Sequence, residues 1–152
     1  MEITQLTNAK EKQSVTKLIL EALPEWFGIP EAREEYIKES VDKIFFCAYE
    51  KGKPVGFLYL KETGNVTIEL YAMGILKEFH RHGIGRKLFE NAKRAAMEAG
   101  YLFMQVKTVQ MGKYEEYDKT NQFYLSLGFL EFEIFPTLWD EWNPCQIYVM
   151  AL

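Results

Sequence analysis

Apolar residues recur along the chain with two different periods, and these separate predicted helices from predicted strands. A helix is predicted where the spacing is three or four residues and where capping or helix-breaking residues stand at its ends. Asn8 and Asp118 are the predicted N-caps of the first and last helices. The four predicted helices run from Asn8 to Pro24, from Glu31 to Ser40, from Gly83 to Ala99 and from Asp118 to Gly128.

Strands are predicted where short apolar runs lie between turn residues. Lys51-Gly52-Lys53 and Gly64-Asn65 are turn signals that join the second, third and fourth strands into hairpins. The early hairpins and the later strand–helix crossovers predict an α/β (α+β mixed) fold, in which helices cover the faces of a mixed sheet. The predicted strands are Thr4–Thr7, Ile44–Glu50, Pro54–Glu62, Val66–Leu76, Leu102–Val109, Phe129–Phe135 and Cys145–Leu152.

Composition and charge narrow the class of protein. The chain has 152 residues, of which 48% are hydrophobic and 26% charged, and this predicts one folded domain over residues 1–152. The net charge of −4 argues against a nucleic-acid partner, and no apolar run approaches the ~20 residues that span a membrane. Cys47 and Cys145 fall outside any CxxC or zinc spacing, so we expect a reduced cytoplasmic protein without a metal.

Residues 79–88 open the third predicted helix in an unusual way. No capping side chain stands at the boundary, and Arg86 and Lys87 each oppose the helix dipole by roughly 0.3–1 kcal/mol. Gly83 and Gly85 allow a ligand to approach the backbone and leave N–H groups pointing outward. The segment predicts a pyrophosphate site, with a solvated basic helix start as the alternative. No P-loop or dinucleotide-binding glycine pattern is present.

The same segment resembles the acyl-CoA signature of the GNAT superfamily of N-acetyltransferases, Q/R-x-x-G-x-G/A at the start of a helix. Gly83-Ile84-Gly85 matches it, and His80 stands where Gln or Arg is usual. Tyr124–Phe129 is similar to the late Y-x-x-x-G-F motif of the family, and the order of elements agrees over essentially the whole chain. The resemblance implies a mostly antiparallel sheet of six to seven strands, about four flanking helices and one splayed parallel strand pair.

The resemblance also implies that acetyl-CoA binds with its pyrophosphate on the loop and its pantetheine arm along the preceding strand. In that strand Gly74 marks a bulge or a close backbone approach, and a simple strand irregularity is the alternative. The cofactor-binding residues implied are Met73, Gly74, Ile75, His80, Arg81, His82, Gly83, Ile84, Gly85 and Arg86.

Direct acetyl transfer needs an amine that has lost its proton, and an alkylammonium near pKa ~10.4 is almost wholly charged at neutral pH. The resemblance implies Glu69 as the base, acting directly or through water, and Tyr124 as the acid for the departing thiolate. Period-two alternation places Glu69, Tyr71 and Met73 on one face. Tyr124 is expected beside the Phe123–Leu127 stripe, facing a cleft. The alternatives are a solvent-facing Glu69 and a buried, locally bonded Tyr124.

The acceptor is expected to be a small-molecule or peptide amine that is cationic in solution. Residues 21–42 carry seven acids, and the acidic helix Glu31–Ser40 together with Glu25 is expected to attract it. A solvated acidic face and a hydrophobic lid are the alternatives. The side chains expected to hold its carbon skeleton are Trp26, Phe27, Tyr36 and Trp139.

Two other classes of function stay open on the sequence. One is a non-catalytic acyl-CoA-binding or regulatory module, and the other is a protein-interaction domain that uses the aromatic loops. The presence of both Glu69 and Tyr124 favours the enzyme. Tyr117 stands where the family often has an Asn that contacts CoA, so no role is assigned to it. The chain is expected to be a monomer or a homodimer.

Overall fold

The computed structural model describes residues 1–152, and its elements follow the predicted order. No helix combines the length and the apolar character that crossing a bilayer requires. The helices are α1 (Ala9–Glu21), α2 (Pro30–Glu39), α3 (Ile84–Glu98) and α4 (Glu115–Ser126), with short 3₁₀ helices at Ser40–Asp42 and Lys77–Phe79. The strands are β1 (Glu2–Leu6), β2 (Ile44–Glu50), β3 (Lys53–Glu62), β4 (Thr67–Ile75), β5 (Phe103–Val109), β6 (Leu130–Phe135) and β7 (Cys145–Ala151).

The seven strands form one mixed sheet in the order β1-β2-β3-β4-β5-β7-β6, and only β4 and β5 run parallel. Thr67–Glu69 of β4 pairs with Phe103–Gln105 of β5, and beyond these residues the two strands separate. The remaining residues, 70–75 of β4 and 106–109 of β5, therefore face each other without backbone pairing. The expected mixed, mostly antiparallel sheet with a splayed parallel pair is confirmed.

Helices cover both faces of the sheet and bury two separate cores. On one face α1 packs Ile19 and Leu20 against aromatic residues of β2 and β3, including Phe45 and Phe57. On the other face α3 packs against β2, β3 and β4, and α4 packs against β5. The splayed strands lie between these layers, so a ligand held between them can contact helices on both faces of the sheet.

A β-bulge in β4 changes which face each of its residues occupies. The register of β3 against β4 skips Tyr71, so Tyr71 is an extra residue in the strand. Tyr71 and Ala72 both pack with the core beneath α1, whereas Met73 packs with the core beneath α3. The prediction that Glu69, Tyr71 and Met73 share one face is therefore wrong for Met73, because the bulge shifts the alternation by one residue.

Gly74 accommodates the close approach of α1 to the sheet. A Cβ at this position would lie 2.9 Å from Ile19 Cγ2 and 3.1 Å from Leu23 Cδ1. Gly74 pairs with Phe57 in regular register, so the bulge in this strand lies at Tyr71 and not at the glycine. A packing requirement from α1 explains the glycine.

Two details of the predicted helices are wrong. Asp118 does not cap α4, which begins at Glu115 with Tyr114 in the N-cap position. The Asp118 carboxylate accepts a hydrogen bond from Gly112 N at 2.7 Å and so closes the loop before the helix. The helical spacing of Val15, Leu18 and Ile19 predicts Leu18 in the apolar stripe of α1, but Leu18 is 51% exposed. The Asn8 cap is confirmed, since its side chain accepts from Glu11 N.

Gly74→Ala should lower the free energy of unfolding by about 1–3 kcal/mol, because the new methyl group overpacks the α1–β4 contact. Ile19→Ala removes the nearest methyl group, so Gly74→Ala should cost less in that background. Urea unfolding of the four proteins in this double-mutant cycle measures the coupling. An equal cost in both backgrounds would contradict the packing explanation.

Candidate active site

The loop between β4 and α3 presents a row of backbone N–H groups. Arg81 and Gly83 have left-handed backbones, with φ of 66° and 76°, and α3 begins without a side-chain cap. The first helical hydrogen bond runs from Lys87 N to Gly83 O, and the N–H groups from Arg81 to Arg86 have no acceptor in the protein. Free N–H groups at the positive end of a helix dipole attract an anion.

The two glycines of this loop have different roles. A Cβ at Gly83 would meet no atom within 4 Å, so this position opens onto free space. A Cβ at Gly85 would lie 2.9 Å from Phe123 Cζ and 3.1 Å from Met73 Cε. Gly85 therefore lets the start of α3 pack against α4 and β4, whereas Gly83 keeps one side of the backbone open to a ligand.

Other side chains hold the loop against the rest of the fold. His80 Nε2 lies 2.7 Å from the carbonyl oxygen of Ile75, and the His80 ring packs edge-on against Trp26 at 5.9 Å between ring centroids. Arg86 donates a hydrogen bond to the carbonyl of Ser126 at the end of α4. These contacts fix the loop between the end of β4 and α4. Arg81 and His82 are exposed beside the free N–H groups.

The free edge of β4 begins where its pairing with β5 ends. Met73, Gly74 and Ile75 lie on this free part of the strand, and the carbonyl of Ile75 is already bonded to His80. An extended ligand can add to such an edge as a further strand does. A broad groove between α1, the β2–β3 hairpin and the loop before α3 includes His82 in its lining, but neither Glu69 nor Tyr124.

Glu69 is buried at the point where β4 and β5 separate. Its Oε1 atom lies 3.0 Å from Lys107 Nζ of β5. Burial raises the pKa of Glu69, and the ammonium groups of Lys107 and Lys61 partly oppose this rise. The alternative in which Glu69 faces solvent is therefore wrong. A carboxylate with a raised pKa is better matched to proton transfer near neutral pH than an ordinary one.

Tyr124 lies on the inward face of α4 with only 8% of its surface exposed. Phe123 is more exposed than Tyr124, so Tyr124 lies at the centre of the buried stripe. The prediction that Tyr124 lies beside this stripe is wrong. The Tyr124 hydroxyl makes no hydrogen bond within the protein. Burial raises the pKa of Tyr124, with smaller contributions from Tyr36, Tyr117 and Glu69. A neutral phenol with a raised pKa keeps its proton available for donation.

Glu39 is the carboxylate of the predicted acidic helix that lies near the site, although the sequence did not distinguish it from the other acids there. Glu34 and Glu35 of the same helix lie on the exposed face of α2. Glu39 is partly buried and accepts a hydrogen bond from Lys61 Nζ at 3.1 Å, and this ammonium lies 4.5 Å from the centre of the Tyr71 ring. Burial alone would raise the pKa of Glu39, but Tyr71 and Lys61 outweigh it and lower the pKa.

Three of the four predicted acceptor residues lie together. Phe27 and Tyr36 make an edge-on ring contact at 5.8 Å, and Trp26 packs against the same core. Tyr36 also contacts Tyr71 of β4 at 5.3 Å. Trp139 is 47% exposed and has no ring contact with this group. The structure therefore brings the α1–α2 segment to β4 and leaves Trp139 apart from it.

The segment between α1 and α2 is fastened to both sides of the splayed strands. Trp26 Nε1 donates to the carbonyl of Glu116, and the Tyr117 hydroxyl donates to the carbonyl of Trp26 at 2.9 Å. Glu25 forms an ion pair with Lys77 in the loop before α3. Tyr117, which replaces the usual Asn of the family, therefore links α4 to the α1–α2 segment.

A buried amide positions α4 against the sheet. Asn121 is fully enclosed and donates from Nδ2 to the carbonyls of Val109 and Tyr117. Its Oδ1 accepts a hydrogen bond of 2.6 Å from the Tyr148 hydroxyl of β7. Asn121 thus ties α4 to the ends of β5 and β7, three residues before Tyr124.

Comparison with known proteins identifies the family. The acetyltransferase (GNAT) domain profile matches residues 41–131, and the chain belongs to this family. No significant match was found among curated proteins.

Solved structures with the same fold cover nearly the whole chain. A GNAT-family protein from Desulfovibrio desulfuricans is 17% identical with a TM-score of 0.84, covering 99% of this chain and 98% of its own. An aminoglycoside 6′-N-acetyltransferase in complex with coenzyme A is 15% identical with a TM-score of 0.78, covering 99% and 97%. Ard1 from Thermoplasma volcanium is 16% identical with a TM-score of 0.78, again covering 99% and 97%. At these identities the likeness establishes the fold.

Proposed function

We propose that this protein is an acetyl-CoA-dependent N-acetyltransferase that acetylates a primary amine by direct attack in a ternary complex. The observation that carries the proposal is that Glu69 and Tyr124 lie close to the point at which β4 separates from β5. Glu69 is a buried carboxylate, and Tyr124 presents a hydroxyl with no partner in the protein. The free end of β4 continues into the loop that carries the free N–H groups from Arg81 to Arg86. These features support a proposed acid, a proposed base and a proposed anion site that act together.

The residues present fit acetyl-CoA, which supplies the acetyl group as an activated thioester. The N–H groups from Arg81 to Arg86 would hold its pyrophosphate at the positive end of α3. The free edge at Met73–Ile75 would pair with its pantetheine amides, as an added strand does. The open side of Gly83 leaves room for this approach.

In the proposed reaction Glu69 and Tyr124 move protons in opposite directions. The neutral amine attacks the thioester carbonyl carbon, so a C–N bond forms and the C–S bond breaks. Glu69 makes the amine neutral by taking one proton from its ammonium form, directly or through water. Tyr124 gives its proton to the departing sulfur and regains one from the new amide nitrogen. The products are an N-acetylated amine and the free thiol of CoA. No covalent acetyl-enzyme is required.

The proposed acceptor enters beside α2 and reaches Glu69 from that side. Trp26, Phe27 and Tyr36 offer aromatic surface for its carbon skeleton, and Glu39 adds a negative charge. Trp139 lies apart from these three residues, so its contact with the acceptor would require its loop to close on the acceptor. Release of the CoA thiol in a panel of diamines, aminoglycosides, amino-acid amides and peptides tests the activity. No acceptor-dependent release from the folded protein would argue against the enzyme.

Gly83→Val should weaken CoA binding by about tenfold or more, equivalent to about 1.4 kcal/mol, because its side chain fills the open approach to the loop. Isothermal titration calorimetry with CoA measures the affinity directly. Gly100→Val is the matched control, since Gly100 also has a positive φ and open space but lies at the far end of α3. The control should bind as the parent does. Unchanged affinity in a folded Gly83→Val protein would contradict the pyrophosphate site.

Tyr124→Phe should lower turnover at saturating substrate by on the order of 10²-fold, because only a proton donor is lost. CoA affinity should change little. Single-turnover thiol release isolates the chemical step from product release. Tyr101→Phe is the control, since it also removes a phenol hydroxyl, one that donates to Glu62 near the exposed end of the sheet. If the chemical step of Tyr124→Phe matches that of the parent protein, Tyr124 is not the acid.

A further inference from the structure

We propose that Lys107 is a positioning residue whose ammonium keeps Glu69 ionised, and therefore able to accept a proton, where β4 and β5 separate. The inference rests on the proposed role of Glu69 as the base. It adds a residue that neither the sequence motifs nor the family resemblance singled out.

The geometry of the ion pair supports this role. Backbone pairing between β4 and β5 ends at Glu69 and Gln105, and Lys107 lies two residues farther along β5. Its Nζ reaches back to Glu69 Oε1 at 3.0 Å. The pair therefore joins the two strands at the closed end of the opening that the acetyl group is proposed to reach.

The two partners differ in their exposure to solvent. The Glu69 side chain is 7% exposed, whereas that of Lys107 is 30% exposed. A carboxylate enclosed to this degree takes up a proton unless a cation or several donors stabilise its charge. When Glu69 accepts a proton from an amine, water can still solvate the ammonium of Lys107. The pair can therefore pass from neutral to singly positive without leaving an enclosed unpaired charge.

Lys107 is the cation best placed for this task among the groups around Glu69. Lys61 is also near, but its ammonium bonds to Glu39 at 3.1 Å and not to Glu69. Glu39, a second carboxylate, disfavours the ionised form of Glu69. The titratable groups that face Glu69 are Lys61 of β3, Glu39 and Tyr36 of α2, Tyr71 of β4, Lys107 of β5, Tyr124 of α4 and Cys145 of β7.

A direct titration of Glu69 tests the inference without an acceptor. In protein with ¹³C-labelled glutamate side chains, the Glu69 carboxyl resonance is assigned by its loss in Glu69→Gln. Lys107→Met should raise the pKa of Glu69 by about one unit or more, because the nearest opposite charge is removed. Lys107→Arg should restore a titration close to that of the parent. Lys119→Met is the matched control, since Lys119 pairs with Glu115 on an exposed helix face.

If Lys107→Met does not fold, Lys107→Gln is used in its place, because glutamine retains a hydrogen-bond donor but carries no charge. Circular dichroism and thermal unfolding establish that each variant is folded. An unchanged Glu69 titration in a folded variant that lacks the charge would overturn the proposal. A merely structural ion pair would shift this titration as well, because an ion pair that stabilises the fold lowers the pKa of its carboxyl group, so the pH dependence of catalysis separates the two roles.

The kinetic arm uses acetyl-CoA and the best amine of the panel. In Lys107→Met the acidic limb of the kcat/KM profile should move to higher pH by the same shift, because Glu69 must lose its proton to act as base. The KM for acetyl-CoA should stay near that of the parent. A shifted titration with an unmoved acidic limb would overturn both the base assignment and the positioning role. A shifted titration in a protein that acetylates no amine would support the effect of Lys107 on Glu69 and count against the proposed function.

Discussion

The early separation of β4 from β5 is the constraint on which the rest of the structure depends. Backbone groups inside a sheet normally pair with a neighbouring strand, and leaving them without a partner in the interior costs free energy. Here the parallel pairing stops at Glu69, although both strands continue. The bulge at Tyr71 lies immediately beyond this point, and a bulge bends the strand that contains it. The sheet thus carries an opening at its centre.

The surrounding elements are arranged about this opening by specific contacts. Asn121 fastens α4 to β5 and β7, and Gly85 allows the start of α3 to approach α4. Trp26 and Tyr117 join the α1–α2 segment to α4 through two hydrogen bonds. These contacts bring side chains from both faces of the sheet to one place. They also leave the N–H groups before α3 free, which is the arrangement that an anionic ligand requires.

Much of the fold could be predicted from the sequence because its signals are local. Asn8 caps α1 as expected, and the glycine pair marks the start of α3. The bulge at Tyr71 could not be predicted, because it depends on the register between β3 and β4. The bulge places the Met73 side chain on the face of the sheet opposite to the predicted one. The partner that approaches Gly74 could not be predicted for a similar reason, since the contact that requires a glycine comes from Ile19, far away in the sequence.

The candidate site could be predicted only in part, because some of its residues come together only in the folded sheet. Glu69 and Tyr124 stand in recognisable motifs, whereas Lys107 lies in an ordinary strand and acquires its partner only through the sheet. Glu39 carried a weak signal, because it follows Tyr36 by three residues and so shares its helical face. The acidic composition of α2 pointed instead to the helix as a whole, including Glu34 and Glu35, which face solvent. Composition records how many charges a helix has, but its packing decides which of them reach a site.

Hydrogen–deuterium exchange with and without CoA tests the central claim, that the opening between β4 and β5 is the cofactor site. The account predicts slower exchange in two separate segments, residues 70–76 along the free edge of β4 and residues 81–86 before α3. Both contain backbone groups that a bound pyrophosphate and pantetheine arm would engage. Protection confined to the β2–β3 hairpin and α1, or no protection at CoA concentrations that saturate binding, would contradict the account.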